Sequence, residues 1–388
     1  MTLPLPEHLL FETFSHLGGL KDLYNAMLTC KHFNWVANNL PAITISQLAL
    51  RTDDSMFSGP WDRFLLVPSA RRTCKWALQS DDRRAALKAA MDGGMRGLTS
   101  FALHTSPIDL NDVRETRKWH HNILTHFHKT LMEDDALWLS WKSNEYEAPL
   151  LALYNWTIYG ELFDHVLSPE RPRHLAPLDS TIRLKFVVFC IADRDCFFHI
   201  FSYPLDLDFP ACFEWEPVRQ QQLDLTHAMD HTLNMKHFHD YVQKLMDIKL
   251  KIPTKKYYKQ NGHNKVSLFL QMVMNSGRKS LEALEAFTKA ELGDQPEFVD
   301  SLFDWLHELW SYIQNLTVPE FESIIRFGAT DSWLQGHVPC LEYDIKLTRD
   351  WRLHYQAREL GRPSAVRPSP SWSNESPFLD ELRKAILT

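Results

Sequence analysis

The sequence predicts a mainly α fold: three short N-terminal helices followed by a larger helical domain, with room for one β-hairpin. Three observations carry this. Leu10, Phe14 and Leu17 fall on one helical face between Pro6 and the glycine pair Gly18-Gly19. Long stretches such as PEFVDSLFDWLHELWSYIQNL repeat apolar residues at a helical period. Only TIRLKFVVFCIADRDCFFHIFSY, Thr181 to Tyr203, has the β-branched and aromatic content of a strand pair. It would turn at Ala192 to Asp195, and it fits two buried helices equally well.

Each element has its own signal. Pro6 suits the first position of a helix, where its missing N–H costs nothing, and Glu7 suits the positive end of the helix dipole. Gly18-Gly19 is expected to end that helix through a left-handed exit. A second helix is expected near Leu20 to Leu28. A third, capped by Thr29, carries Cys30, Lys31, Phe33, Trp35 and Val36, and stops at Asn38-Asn39 and Pro41. Ser69 to Met91 reads as one helix stopped by Gly93-Gly94, and Asp112 to Glu133 as another. EAPLLALYNWTIYGELFDHVLSP reads as a buried helix ended by Pro169, and RPRHLAP as a loop. QLDLTHAMDHTLNMKHFHDYVQKLMDIKL resumes an amphipathic helix, PEFVDSLFDWLHELWSYIQNL follows, and EYDIKLTRDWRLHYQAREL is a late one. Gly361 to Pro377 is a Pro/Ser-rich linker before a short terminal helix. The expected division is 3–41 for the first three helices, 42–360 for the helical body, 361–377 for the linker and 378–388 for the terminal helix.

Composition excludes several classes. Hydrophobic content of 44% and charged content of 23% are those of an ordinary globular protein, and 388 residues suffice for two or three domains. A net charge of −7 argues against a general nucleic-acid or anionic-membrane binder, since both need a basic field. No apolar run is long enough for a membrane span, and MTLPLPEHLL lacks the basic start and apolar block of a signal peptide. Six scattered cysteines with no CxxC pair fit reduced thiols. The expected location is cytoplasmic, nuclear or both.

The N-terminal stretch LPEHLLFETFSHLGGLKDLYNAMLTCKHFNWV poses the sharper problem. Between Leu3 and Leu40 stand sixteen large apolar side chains: nine Leu, three Phe, and Tyr24, Met27, Trp35 and Val36. A unit of about 40 residues is at the lower limit of independent stability and cannot turn all of these inward. The surplus must pack on the rest of the chain or on a partner.

This stretch resembles an F-box. The residues that carry the likeness are Leu5-Pro6, Leu9-Leu10, Glu12, Phe14, Leu17, Asp22-Leu23, Leu28, Cys30-Lys31, Phe33 and Val36, with departures at Thr13 and Gly18-Gly19. The resemblance covers about a tenth of the chain. It implies docking onto the Skp-type adaptor of a cullin-RING ubiquitin ligase, with Leu5, Pro6, Leu9, Leu10, Leu23, Cys30, Lys31 and Phe33 as adaptor-binding residues. It further implies that the helical body holds an unknown protein target. The chain shows no leucine-rich or Trp-Asp repeats, which sets it apart from the two best-known receptor types of that family.

Other chemistry is weakly signalled. His227 and His231, four apart, share a helix face and offer two metal positions, but no complete ligand set has a recognised spacing. They support the alternative of a ligand- or metal-binding helical protein. KKYYKQNGHNK, Lys255 to Lys265, mixes basic and aromatic residues but reads as a solvated loop in an acidic chain. There is no nucleophile elbow, phosphate-binding loop or HExxH, and the SxxK match at Ser276 and Lys279 is at chance level. The expectation is a non-catalytic receptor without a cofactor.

Overall fold

The computed structural model describes residues 6–52, 61–124, 148–163, 180–191 and 299–317, together with 178, 269, 272–273 and 276–282. Among them every regular element is helical and none is a strand, as the mainly α reading expects. The chain forms two compact units, Met1–His126 and Phe127–Thr388.

The first unit contains eight described α-helices. They are α1 (Glu7–Ser15), α2 (Leu20–Thr29), α3 (Lys31–Asn38), α4 (Ala42–Arg51), α5 (Trp61–Ala77), α6 (Asp81–Ala90), α7 (Gly94–Thr105) and α8 (Leu110–Trp119). Helices this short are marginal alone, so packing of their apolar stripes holds them. Leu10 and Phe14 of α1, Leu20, Leu23 and Met27 of α2, and Val36 and Ala37 of α3 are buried. The Phe14 and Phe33 rings meet edge to face at 5.5 Å. Helix α4 turns Ile45, Leu48 and Ala49 inward, and α5 and α7 supply most of the remaining core, including Leu65, Leu66, Leu98 and Leu103.

Three buried polar links tie the first helices to those that follow. The Thr52 hydroxyl accepts from the Leu20 amide at 2.9 Å and donates to the Leu48 carbonyl at 2.8 Å. The Trp61 indole donates to the Ala49 carbonyl at 3.1 Å. The Ser46 hydroxyl accepts from the Ile108 amide at 2.8 Å. At the surface, the Arg51 guanidinium donates to the Ser15 carbonyl at 2.9 Å and so closes the end of α1.

Several local expectations change. Thr29 is not the cap of α3. Cys30 is, its Sγ accepting from the Phe33 amide at 3.4 Å, while the Thr29 hydroxyl donates back to Ala26 within α2. Gly18-Gly19 makes no left-handed exit: Gly19 is extended, with φ at 173°. Its lack of a side chain is used for closeness instead, since a Cβ there would stand 3.0 Å from Thr52 Cα. The segment Ser69 to Met91 is not one helix. Helix α5 begins at Trp61 and runs through Pro68, with the Ser69 hydroxyl donating to the Leu66 carbonyl at 3.1 Å. Ser80 then caps α6 by accepting from the Arg83 amide. Gly93-Gly94 ends α6 through a 3₁₀ turn but starts α7 at once, with Gly94 at φ 65°. Helix α8 starts with a capping box between Asp109 and Asp112 and passes into a π-helical turn, His120–Leu124.

In the second unit, α9 (Ala148–Phe163) is enclosed over residues 153–163, as its uniformly apolar pattern predicts. Tyr159 and Phe163 pack on Phe186. Phe186 opens a π-helical segment, Phe186–Ile191, that continues α10 (Ser180–Lys185). Residues 180–191 are therefore helical, so the hairpin reading of Thr181 to Tyr203 gives way to a helix in its first half. Burial against other aromatic rings decides this where short apolar runs leave the period open. Glu161, 4% exposed, accepts from the Arg278 amide at 2.9 Å and lies against Gly277 at φ +64°. Helix α11 (Val299–Asn315) sets Trp310 edge to face with Phe269 at 5.5 Å. The expected helix holding His227 and His231, the late helix, the linker and the terminal helix lie outside the described residues.

The Gly19 contact is directly testable. Gly19→Ala adds a methyl group 2.9 Å from Thr52 Oγ1 and 3.0 Å from Thr52 Cα, so the Thr52 backbone must shift. It should destabilise the fold by about 1–3 kcal/mol in urea unfolding followed by tryptophan fluorescence.

Candidate docking face

The first three helices sort their apolar residues into two sets. On α1, Leu10 and Phe14 point into the core while Leu9, on the far side of the helix, stays 40% exposed. On α2, Leu20, Leu23 and Met27 are enclosed, and Leu28, on the flank, is 84% exposed. On α3, Val36 and Ala37 are enclosed and Trp35, opposite, is 49% exposed. The His32 and Trp35 rings stack with 7° between their planes, and His32 Nε2 is buried without a hydrogen-bond partner among the described residues.

The residues named by the F-box resemblance divide in the same way. Pro6, Leu9, Cys30 and Lys31 are exposed, and Phe33 is half-buried against Phe14. Leu10 and Leu23 belong to the chain's own core. Leu5, His227 and His231 lie outside the described residues. Cys30 is a free thiol at the surface, at the start of α3. Among the described residues no group of three His, Cys, Asp or Glu side chains is placed to hold a metal ion.

Leu28 and Trp35 are the open residues that sequence reasoning did not assign. Both were visible as part of the apolar surplus. Their exposure depends on which helical stripe meets α4, and nothing in a segment this short fixes that phase.

Helix α8 meets the C-terminal end of α3. The Arg114 guanidinium donates to the side-chain carbonyl of Asn38, and the Asn38 amide in turn donates to Asn34. Burial pushes the Tyr24 phenol above its ordinary value, while Arg114 and Arg117 pull it partly back.

A second open surface lies between α4 and α7. It is a groove of about 490 Å³, with Ile43 and Leu50 on one wall and Phe101 and His104 on the other. No protein-family model, curated protein or solved structure matches the chain.

The two sets of leucines should respond differently to truncation. Leu23→Ala should cost about 2–5 kcal/mol of stability, whereas Leu28→Ala should stay within about 0.5 kcal/mol of wild type. Chemical denaturation of the two variants side by side measures the contrast.

Proposed function

We propose that this chain is an F-box-type substrate receptor of a Skp–cullin–RING ubiquitin ligase. The observation that carries the reading is the open apolar set Leu9, Leu28 and Trp35 on helices whose other sides are already filled by the chain itself. Large side chains left in water on a fixed scaffold are suited to desolvated pockets on a partner, where a few such anchors supply most of the binding energy. Pro6, Leu9, Cys30, Lys31 and Phe33 are the exposed or half-buried positions of the F-box pattern, and Leu28 and Trp35 join them.

The receptor does no bond chemistry of its own. Bound to the adaptor at one end, it holds a target protein through its helical body. The target's lysine is thereby kept near the ubiquitin-charged conjugating enzyme. The gain is one of effective concentration and orientation. The N-terminal helices need only bind rigidly, because a docking face fixed before binding loses little entropy in the complex.

Co-purification with a recombinant Skp-type adaptor tests the reading. Wild type should retain the adaptor. Leu9→Glu plus Leu28→Glu should lose it with an unchanged unfolding midpoint, since both side chains are exposed. Adaptor binding should also protect the Cys30 thiol from alkylation by a maleimide, read by mass spectrometry of the Cys30 peptide. Retention of the adaptor by the double variant, or equal labelling of Cys30 free and bound, would overturn the assignment of this face.

A further inference from the structure

The groove between α4 and α7, about 490 Å³ in volume, is lined only by residues beyond the first three helices. Each long wall is one helical stripe. On α4 it is Ile43, Ser46, Gln47 and Leu50, and on α7 it is Gly97, Ser100, Phe101 and His104. Both follow the i, i+3, i+4, i+7 pattern, so each wall runs for two turns, about 10 Å. Where α6 ends, the groove is kept free of bulk. Ala90 and Gly97 line it there, and a Cβ on Gly97 would stand 2.6 Å from the Ala90 carbonyl oxygen. This close approach sets α7 against the end of α6, so the groove is shaped before any ligand arrives. None of its lining residues is Asp, Glu, Lys or Arg, although these make up 23% of the chain. Arg51, next to Leu50, is held by the Ser15 and Leu17 carbonyls instead. The Ser46 hydroxyl is taken by the Ile108 amide. Ile43 and Leu50 remain exposed.

We propose that this groove receives an amphipathic helix of another protein, which lays an uncharged apolar stripe of about two turns against Ile43, Leu50 and Phe101. The site is separate from the adaptor face and does not depend on that reading. A trough between two helices accepts the side-chain ridge of a third. An extended segment instead adds to a sheet edge, and both walls here are helices whose backbone groups are paired within themselves. A proline-rich segment needs a row of aromatic rings, where this groove has Phe101. Charge narrows the partner further. A charged side chain brought into the groove would lose water and find no opposite charge, so the stripe must be uncharged. Nucleic acid is excluded by the same walls, which offer phosphate no cation. Two copies of the chain cannot fit groove to groove in a symmetric pair, because both surfaces are concave, and a net charge of −7 opposes their approach.

The experiment selects a display library of helical peptides on the full chain. The polar faces are fixed and the i, i+3, i+4 and i+7 positions are randomised. Leu, Ile, Met or Phe should be enriched at these positions and Asp, Glu, Lys and Arg depleted. A fluorescent copy of an enriched peptide should then bind the full chain in an anisotropy titration. Ile43→Glu plus Leu50→Glu should weaken that binding by roughly tenfold or more with an unchanged unfolding midpoint, since both side chains are exposed. Ser100→Trp, which fills the groove without adding charge, should weaken it as well. Failure to enrich an apolar stripe, enrichment of a charged one, or equal binding by the variants would overturn the proposal. The Skp-type adaptor is the control. If the Ile43/Leu50 variant loses adaptor and peptide together, the groove belongs to the adaptor face, and the separate site falls while the adaptor reading stands. If wild type ignores the adaptor but selects the apolar stripe, the adaptor reading falls and this one stands. Wild-type dimers in light scattering that the Ile43/Leu50 variant abolishes would assign the groove to a second copy and overturn the proposal.

Discussion

The hydroxyl of Thr52 holds the first helices in place. It accepts from Leu20 at the start of α2 and donates to Leu48 near the end of α4. The Leu20 amide is one of the four that a helix start leaves unpaired, and it is buried, so a partner is required there. Thr52 can reach it only because Gly19 brings no side chain between them. The junction fixes which stripe of α2 turns inward. Leu20, Leu23 and Met27 meet the core, and Leu28, at a different angle on the same helix, cannot. Helix α3 is set by its packing on α2, and α1 by its packing on α3 and by the Arg51 bond to its end. An open apolar face is thus a consequence of this inward choice, since short helices with apolar residues on two sides can satisfy only one side at a time.

The links at Trp61 and Ser46 extend the same logic to the rest of the first unit. Each places a buried polar group across two elements, and slippage at Ser46 would leave the buried Ile108 amide unpaired. Such groups make packing errors costly and favour a single arrangement. The proposed docking face would benefit from this, because rigidity in the free state reduces what ordering would otherwise subtract on binding.

Much of the helix order in the first unit was legible in the sequence. Pro6 at one end and Asn38 at the other bound the three-helix stretch, the apolar stripe of α11 was long enough to show its period, and α9 was legible as a uniformly apolar run. Helices α4 and α7 were not anticipated, and the other failures fell at junctions. Thr29 and Cys30 are neighbours with capping ability, and only the chain path shows that the thiol, in extended backbone, faces the Phe33 amide. Ser80 lies inside a run of good helix formers, so the break between α5 and α6 was masked by propensity. Helix α7 starts on glycines that read as a stop, because a glycine in left-handed backbone can begin an element as well as end one. For the site, the sequence showed a surplus of apolar residues but not its division. That division is tertiary: it follows from Thr52, thirty-two residues beyond Leu20.

Charge shows the same separation of global and local information. The net value of −7 describes the field far from the protein, where all carboxylates are summed. Over distances shorter than a screening length of about 8–10 Å, only neighbours matter. Asp112 and Glu115 on α8 pair with Arg72 and Lys118, while the charges of Arg114 and Arg117 act on Tyr24. Tyr24 shows how far this field reaches into the protein. Burial disfavours its ionised form, and the two guanidiniums offset part of that penalty. An acidic chain can therefore carry a local cationic field that its net charge does not show.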